Sequence, residues 1–190
     1  MVKKKLAFYL LLLFSCTAFA QKYTPVIKKG TVLSYKVMSR SSGQEGIIIL
    51  NISSLKDTMK INWSLPYSSS GSFEITPKAL QSGTKLTVNE PADGEVTRLN
   101  DNETLLSISK DGYNNLVNNK SFVLNGVTFY AKPDTSSFKI DDKEANIIYV
   151  ADEKGKRQLW ILNSPSLPLI CKSIKAAKGI DFELISLQNN

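Results

Sequence analysis

The sequence predicts a mainly β protein: a single curved antiparallel sheet or partly closed barrel of about ten strands, with one short helix near 109–118. Three observations predict it. Short runs of β-branched and aromatic residues recur after Pro25, broken roughly every eight to twelve residues by Gly, Asn, Asp, Ser or Pro. Several of these runs alternate apolar and polar side chains, the period of a half-buried strand. Asn125-Gly126, between 122–124 and 127–130, supplies the pair of positive φ angles that a two-residue hairpin turn needs.

The elements follow in order. Residues 32–38 place Leu33, Tyr35 and Val37 on one face and Ser34 and Lys36 on the other, and Ser41-Ser42-Gly43 turns the chain into a second strand at 46–52. Residues 58–65 alternate Met59, Ile61, Trp63 and Leu65 with Lys60, Asn62 and Ser64, so half of that strand faces a core. A Ser-rich loop at 66–71 leads to strands at 72–75 and 84–88, and Pro91-Ala92-Asp93-Gly94 has the residue chemistry of a turn. The helix is marked by Ser109 as a cap and by Tyr113, Leu116 and Val117 at i, i+3 and i+4, although Gly112 weakens it. After the Asn-Gly hairpin, strands at 145–151 and 156–162 flank Asp152-Glu153-Lys154-Gly155. Pro165 and Pro168 then exclude a paired central strand until Leu169. A half-buried closing strand alternates Ile180, Phe182 and Leu184 with Asp181, Glu183 and Ile185.

Residues 1–20 read as a secretory signal: Lys3-Lys4-Lys5, an apolar run over 6–14, and Ala18-Phe19-Ala20 as a small-x-small cleavage site. Cleavage after Ala20 leaves 21–190 as one β-rich domain and makes the protein exported and soluble, in the periplasm or cell envelope. A competing reading centres on Leu13-Phe14-Ser15-Cys16, which resembles a lipobox; lipidation of Cys16 would tether the chain to a membrane. Loss of the signal removes three of the 24 basic residues, leaving 21 against 17 acidic ones, so the formal charge falls from +7 to +4. The remaining cations are scattered, and their densest stretches, 154–157 and 172–178, are not interleaved with stacking aromatics, which argues against nucleic acid as a partner.

The chain has no histidine, which excludes Ser-His-Asp and Cys-His catalysis and any His-based metal site. Carboxylates could hydrolyse a glycosidic bond without it, and Asp141-Asp142, Asp152-Glu153 and Asp181/Glu183 are the candidates; each sits in a turn or on the polar side of a strand, as solvated surface acids do. Asp93-Gly94-Glu95 and Asp111-Gly112 are fragments of calcium loops without the full ligand alternation, and Ser107 to Lys110 is a Ser-x-x-Lys spacing without its companion motifs. Asp57-Thr58-Met59 resembles the short acceptor motif of a bacterial O-glycosylation system, with Thr58 as acceptor. The mature chain keeps only Cys171, read as a small buried apolar residue. These readings imply neither an enzyme, a metal nor a cofactor.

Lys28-Lys29-Gly30-Thr31 leading into Leu33-Ser34-Tyr35, the 106–109 and 113–116 segments before a hairpin, and the closing series 159–163, 167–170 and 182–184 together carry a likeness. In these pieces, spread over about 28–187, the chain resembles a family of uncharacterised exported proteins of Gram-negative envelopes, with a curved sheet related in outline to lipoprotein-carrier half-barrels. The resemblance implies fold and export and assigns no catalytic or ligand residue. A curved open sheet has more concave apolar surface than one short helix can cover, which suits an apolar or amphiphilic, lipid-like ligand. Trp63, Phe73, Phe129, Trp160 and Phe182 are the candidate lining. The alternative is an envelope assembly module whose partner protein meets the sheet edges.

Overall fold

A computed structural model describes residues 22–66, 69–88, 93–133 and 137–189. The signal-like segment with Cys16 and Ala20, and Pro91 and Ala92 of the expected turn, lie outside the described residues. The mainly β class is borne out by an 11-stranded sheet that does not close into a barrel.

Strands β1 (Thr31–Ser39), β2 (Glu45–Leu55), β3 (Met59–Ser64) and β4 (Ser70–Ile75) form a meander. Helix α1 (Pro77–Ser82), the short strands β5 (Lys85–Leu86), β6 (Val96–Arg98) and β7 (Glu103–Thr104), and helix α2 (Lys110–Asn119) make a long crossover. The second half holds β8 (Ser121–Leu124), β9 (Val127–Ala131), the small β10 (Lys139–Ile140) and β11 (Lys143–Glu144) hairpin, β12 (Ile147–Ala151), β13 (Gln158–Leu162), β14 (Ile170–Ile174) and β15 (Ile180–Asn189). The spatial order is β6-β4-β3-β2-β1-β15-β14-β13-β12-β9-β8, so the first and last strands meet at the centre of the sheet.

Two details differ from expectation. The sheet is mixed, because β6 pairs parallel with β4. The helix at 110–119 is present, capped by Ser109 accepting the Gly112 N–H, but α1 is a second helix. Its punctuation is complete: Thr76 accepts the Ala79 N–H, Pro77 opens the helix, and the Gly83 N–H closes on the Ala79 carbonyl. Six residues are too few to show a helical period, which is why the apolar pattern does not reveal it.

The sheet must curl. Thr84, nine residues beyond the end of β4, accepts the Asn125 N–H at the tip of the β8–β9 hairpin (2.8 Å). In a flat sheet β4 and β9 would stand about 38 Å apart, at roughly 4.8 Å per strand step. The intervening chain, with α1 in it, spans at most about 25 Å. Only a bent sheet brings its two halves that close, and the crossover lies across the hollow. One apolar cluster then joins Trp63 and Phe73 of the first half to Phe122 and Phe129 of the second.

Asn125 and Gly126 have φ of 53° and 72°, the hairpin turn expected from the sequence. The Asn125 side chain has a tertiary task as well, accepting the Leu86 N–H at 2.9 Å and so tying the crossover to the hairpin.

Candidate functional site

Cross-strand register assigns the two faces. Val37 lies opposite Phe182 and Gly46, which places all three on the inner face. The next row, Ile47, Lys36, Glu183, Lys172, Trp160 and Tyr149, points outward. Here Lys36 pairs with Glu45 at 2.7 Å, Lys172 with Glu183 at 2.8 Å, and the Lys172 ammonium stands 5.5 Å from the centre of the Trp160 ring. The outer face thus presents a charged ladder.

On the inner face a cavity of about 630 Å³ separates the sheet from the crossover. Its floor includes Val37 of β1, Ile48 of β2 and Phe182 of β15; Val88, Leu105 and Leu106 of the crossover form the roof. Ser42, Gln44 and Glu45, all exposed, rim it at the β1–β2 turn. Glu45 is the one charged residue bordering the cavity among the described residues, and register directs its side chain to the outer face, where it pairs with Lys36. Gly46 lies on the wall, and a Cβ added there would meet nothing within 4 Å.

The roof is pinned in a costly conformation. Leu106 has φ of 54°, left-handed backbone that a bulky side chain rarely adopts and that costs on the order of 1–3 kcal/mol. Its neighbours enforce it: the Leu106 carbonyl accepts the Ile170 N–H (2.8 Å), the Ile108 N–H donates to the Pro168 carbonyl, and the Thr104 hydroxyl donates to the Ser107 carbonyl (2.7 Å).

The five aromatic candidates separate. Phe73 and Phe182 line the cavity. Trp63 is packed in the core beside Gly71, and Phe129 stacks on Phe122 with ring centres 5.7 Å apart. Trp160 is on the opposite face of the sheet, under Lys172. Alternation along one strand cannot say which side of the sheet is hollow, so the sequence ranks the five alike. Leu105 and Leu106 lie in a crossover wall that has no strand period, so alternation does not mark them, and Val88 ends the expected 84–88 strand with no sign of its place on the wall; the consecutive leucines ahead of the helix cap are the available signal.

Four of the six candidate carboxylates, Asp141, Asp152, Asp181 and Glu183, are held in structural bonds. Asp141 and Asp142, with φ of 48° and 62°, form the two-residue turn between β10 and β11, and Asp141 accepts the Leu187 N–H at 3.0 Å. Asp152 accepts the Lys156 and Arg157 N–H groups across its turn. Asp181 takes Arg40 at 2.6 Å and the Lys175 N–H at 2.7 Å, and Glu183 takes Lys172. Of the calcium-like fragments, Asp93 accepts the Ser70 N–H and Asp111 the Gln81 amide. Glu74 bridges Lys60 and Arg98 across β3, β4 and β6, and the Lys60 hydrogen bond holds its carboxyl below the usual range. No group of three or more metal-ligating side chains occurs among the described residues. Thr58 lies half-buried in the bend between β2 and β3. No helix among the described residues is long and apolar enough to cross a membrane.

Comparison with known proteins adds no assignment: no family model and no curated protein matches this chain.

Cys171 is fully buried beside the cavity floor's Tyr35, and burial pushes its thiol up to about 12. The thiolate, the reactive species, is therefore scarce near neutrality. In the folded protein at pH 8, a disulfide reagent is expected to leave Cys171 unmodified over hours and to label it promptly in denaturant. Rapid labelling without denaturant, followed by peptide mapping to Cys171, would show the thiol to be accessible.

Proposed function

We propose that this protein is an exported, non-enzymatic component of the cell envelope that binds an apolar or amphiphilic ligand in the concave face of its sheet. The cavity carries the reading: about 630 Å³ of space, within the range of about 300–1,000 Å³ typical of ligand pockets, walled by aliphatic and aromatic side chains and rimmed by polar ones. The cavity opens to solvent on one side, so an apolar ligand seated in it would remove aliphatic and aromatic surface from water. The basic, apolar and small-x-small order of residues 1–20 supports export. Four of the six carboxylates considered for acid–base work serve turns and ion pairs, which supports binding over catalysis.

Gly46→Trp tests this directly. The indole enters open space at the cavity wall, on a strand position whose backbone suits any L-residue, so the fold is expected to keep its stability. Binding of the neutral fluorophore N-phenyl-1-naphthylamine is expected in the wild-type protein and at least tenfold weaker in the variant. Equal binding by both would remove the cavity from consideration, as would absence of probe binding and of any co-purifying lipid in the wild type.

The open sheet also leaves edges at β6 and β8, and this observation favours the second reading, an assembly module joined through a strand edge. Crosslinking in intact cells through residues placed on β8 would recover one defined partner if that reading is right and only the monomer if it is not.

A further inference from the structure

The cations of residues 21–190 are scattered along the sequence but gathered in the fold. β13 and β14 pair antiparallel with Gln158 opposite Ile174, so the turn at 152–157 stands beside the turn at 175–179. The two densest basic stretches thereby meet at one end of the sheet, with Lys154, Lys156 and Arg157 on one turn and Lys175 and Lys178 on the next. Neighbouring segments are bonded to them. Arg40, just past β1, donates its backbone N–H to the Gly179 carbonyl at 2.9 Å and its guanidinium to the Ala177 and Ile180 carbonyls and to Asp181. The Asn125 amide donates to the Ala176 carbonyl at 3.4 Å, and Asn125 is also bonded to Thr84 and Leu86, which brings Lys85 to the same end.

These segments hold seven cations against Asp152, Glu153 and Asp181. Taking them from the 21 basic and 17 acidic residues leaves fourteen of each sign, so the whole formal excess of +4 resides at this end. Glu45, near the β1–β2 turn, is neutralised by Lys36 on the outer face, and Asp93 and Glu95 belong to the loop along β4, five strand steps from β14 in the sheet order. Arg40 apart, the cations are exposed, and among the described residues none of them is in an ion pair.

Like charges gathered without partners repel one another, and an external anion relieves the repulsion. The six spread over the end of the sheet and border none of the described cavities, so they fit an extended anionic surface and not a discrete anion. No aromatic residue interleaves them for stacking on bases, whereas a bilayer of anionic lipids needs only charge held within a Debye length of it. The apolar cavity has its rim at the same end, since Ser42 and Gln44 share the β1–β2 turn with Arg40.

We propose that this end of the sheet docks on an anionic lipid bilayer through Lys85, Lys154, Lys156, Arg157, Lys175 and Lys178, with the cavity rim turned to the membrane. The docking rests on the charge alone; the part played by the rim rests on the ligand-binding reading above.

Cosedimentation with lipid vesicles tests it, using protein of residues 21–190, which include every described element. The wild type is expected to bind vesicles of about 30 mol% phosphatidylglycerol in phosphatidylcholine at about 50 mM salt, to be released at about 500 mM, and to leave pure phosphatidylcholine unbound. Lys154→Gln/Lys156→Gln/Lys178→Gln is expected to bind the anionic vesicles at least tenfold more weakly. Lys28→Gln/Lys29→Gln/Lys56→Gln removes the same charge at the opposite end of β1 and β2 and is expected to stay within twofold of the wild type. All six replaced side chains are exposed, so both variants keep the fold. Equal losses in the two variants would reduce the effect to net charge and overturn the docking end, and equal binding to neutral vesicles would overturn its electrostatic basis. Absence of vesicle binding would overturn the proposal, and crosslinks in intact cells from position 178 to an acidic protein would then assign this end to a protein partner. Vesicle binding without uptake of N-phenyl-1-naphthylamine would uphold the docking and remove the cavity reading alone.

Discussion

Trp63→Ala is expected to destabilise the protein by about 3–5 kcal/mol, the largest loss of any single substitution considered for this chain. Trp63 is 2% exposed on the inner face of β3, where its register partners are Leu50 on one side and Gly71 on the other. The indole occupies the space that a side chain at 71 would need: a Cβ there would stand 2.8 Å from Nε1 and 2.8 Å from the Glu95 carbonyl oxygen. The pair is therefore a large residue packed over a glycine, and truncating the large member leaves a void that the rigid sheet cannot collapse. Trp63→Phe separates packing from hydrogen bonding. Nε1 is buried without a partner among the described residues, so replacing the indole removes an unsatisfied donor along with some contact area. Its expected loss is below about 1.5 kcal/mol. Urea denaturation of the two variants measures both values; a loss under about 1 kcal/mol for Trp63→Ala would show that the indole is not packed as described.

Alkaline pH is expected to lower stability, and Cys171→Ala to weaken that dependence. Burial raises the Cys171 thiol from an ordinary value of 9.0 to about 12. Tyr35, fully buried with its hydroxyl donated to the Ile170 carbonyl at 3.1 Å, is also raised, first by burial and then by the neighbouring Cys171 charge. Both acids are neutral when protonated. Above pH 9 the unfolded chain releases the thiol proton and the folded chain keeps it, so the native state binds more protons and stability falls as pH rises. The stabilisation is full below pH 9 and is lost between 9 and about 12, at about 1.4 kcal/mol per pH unit for one group. Tyr35 adds its own decline above its ordinary value of 10.0. Unfolding free energies measured by urea from pH 8 to 11 should therefore slope down in the wild type and less steeply in Cys171→Ala, while Tyr35→Phe should flatten only the upper part of the range. The comparison uses slopes, so the packing cost of each substitution drops out. Parallel slopes in wild type and Cys171→Ala would mean that the thiol titrates freely in the folded state.

Much of the fold is legible in the sequence because strands declare themselves locally. The alternation of Met59, Ile61 and Trp63 with Lys60 and Asn62 corresponds to buried and exposed faces of β3. Pro165 and Pro168 delay pairing until Leu169 bridges Ser107 and β14 begins at Ile170. Ser109 caps α2. The parallel pairing of β6 was not legible, since three residues, Val96, Thr97 and Arg98, have no partner signal of their own and are placed by the return of the chain past β4 and by the Arg98–Glu74 contact. The same holds for Asp141. As one of two adjacent acids it is chemically indistinguishable from a catalytic candidate until the turn geometry and the Leu187 N–H show what it does.

The sequence by itself determined the mainly β class, the strand faces, the hairpin at Asn125-Gly126, the helix cap, and the exclusion of histidine chemistry, because these depend on residue type and on neighbours a few positions away. Tertiary structure decided which face is concave, since both faces of a strand exist in any alternating pattern and only the short segment from β4 to Thr84, bonded to the tip of the β8–β9 hairpin, forces the sheet to bend one way. It also decided that Phe73 and Phe182 border the cavity while Trp160 faces outward. Leu105 and Leu106 became its roof through bonds to 168–170, residues some sixty positions distant, which no local pattern can encode.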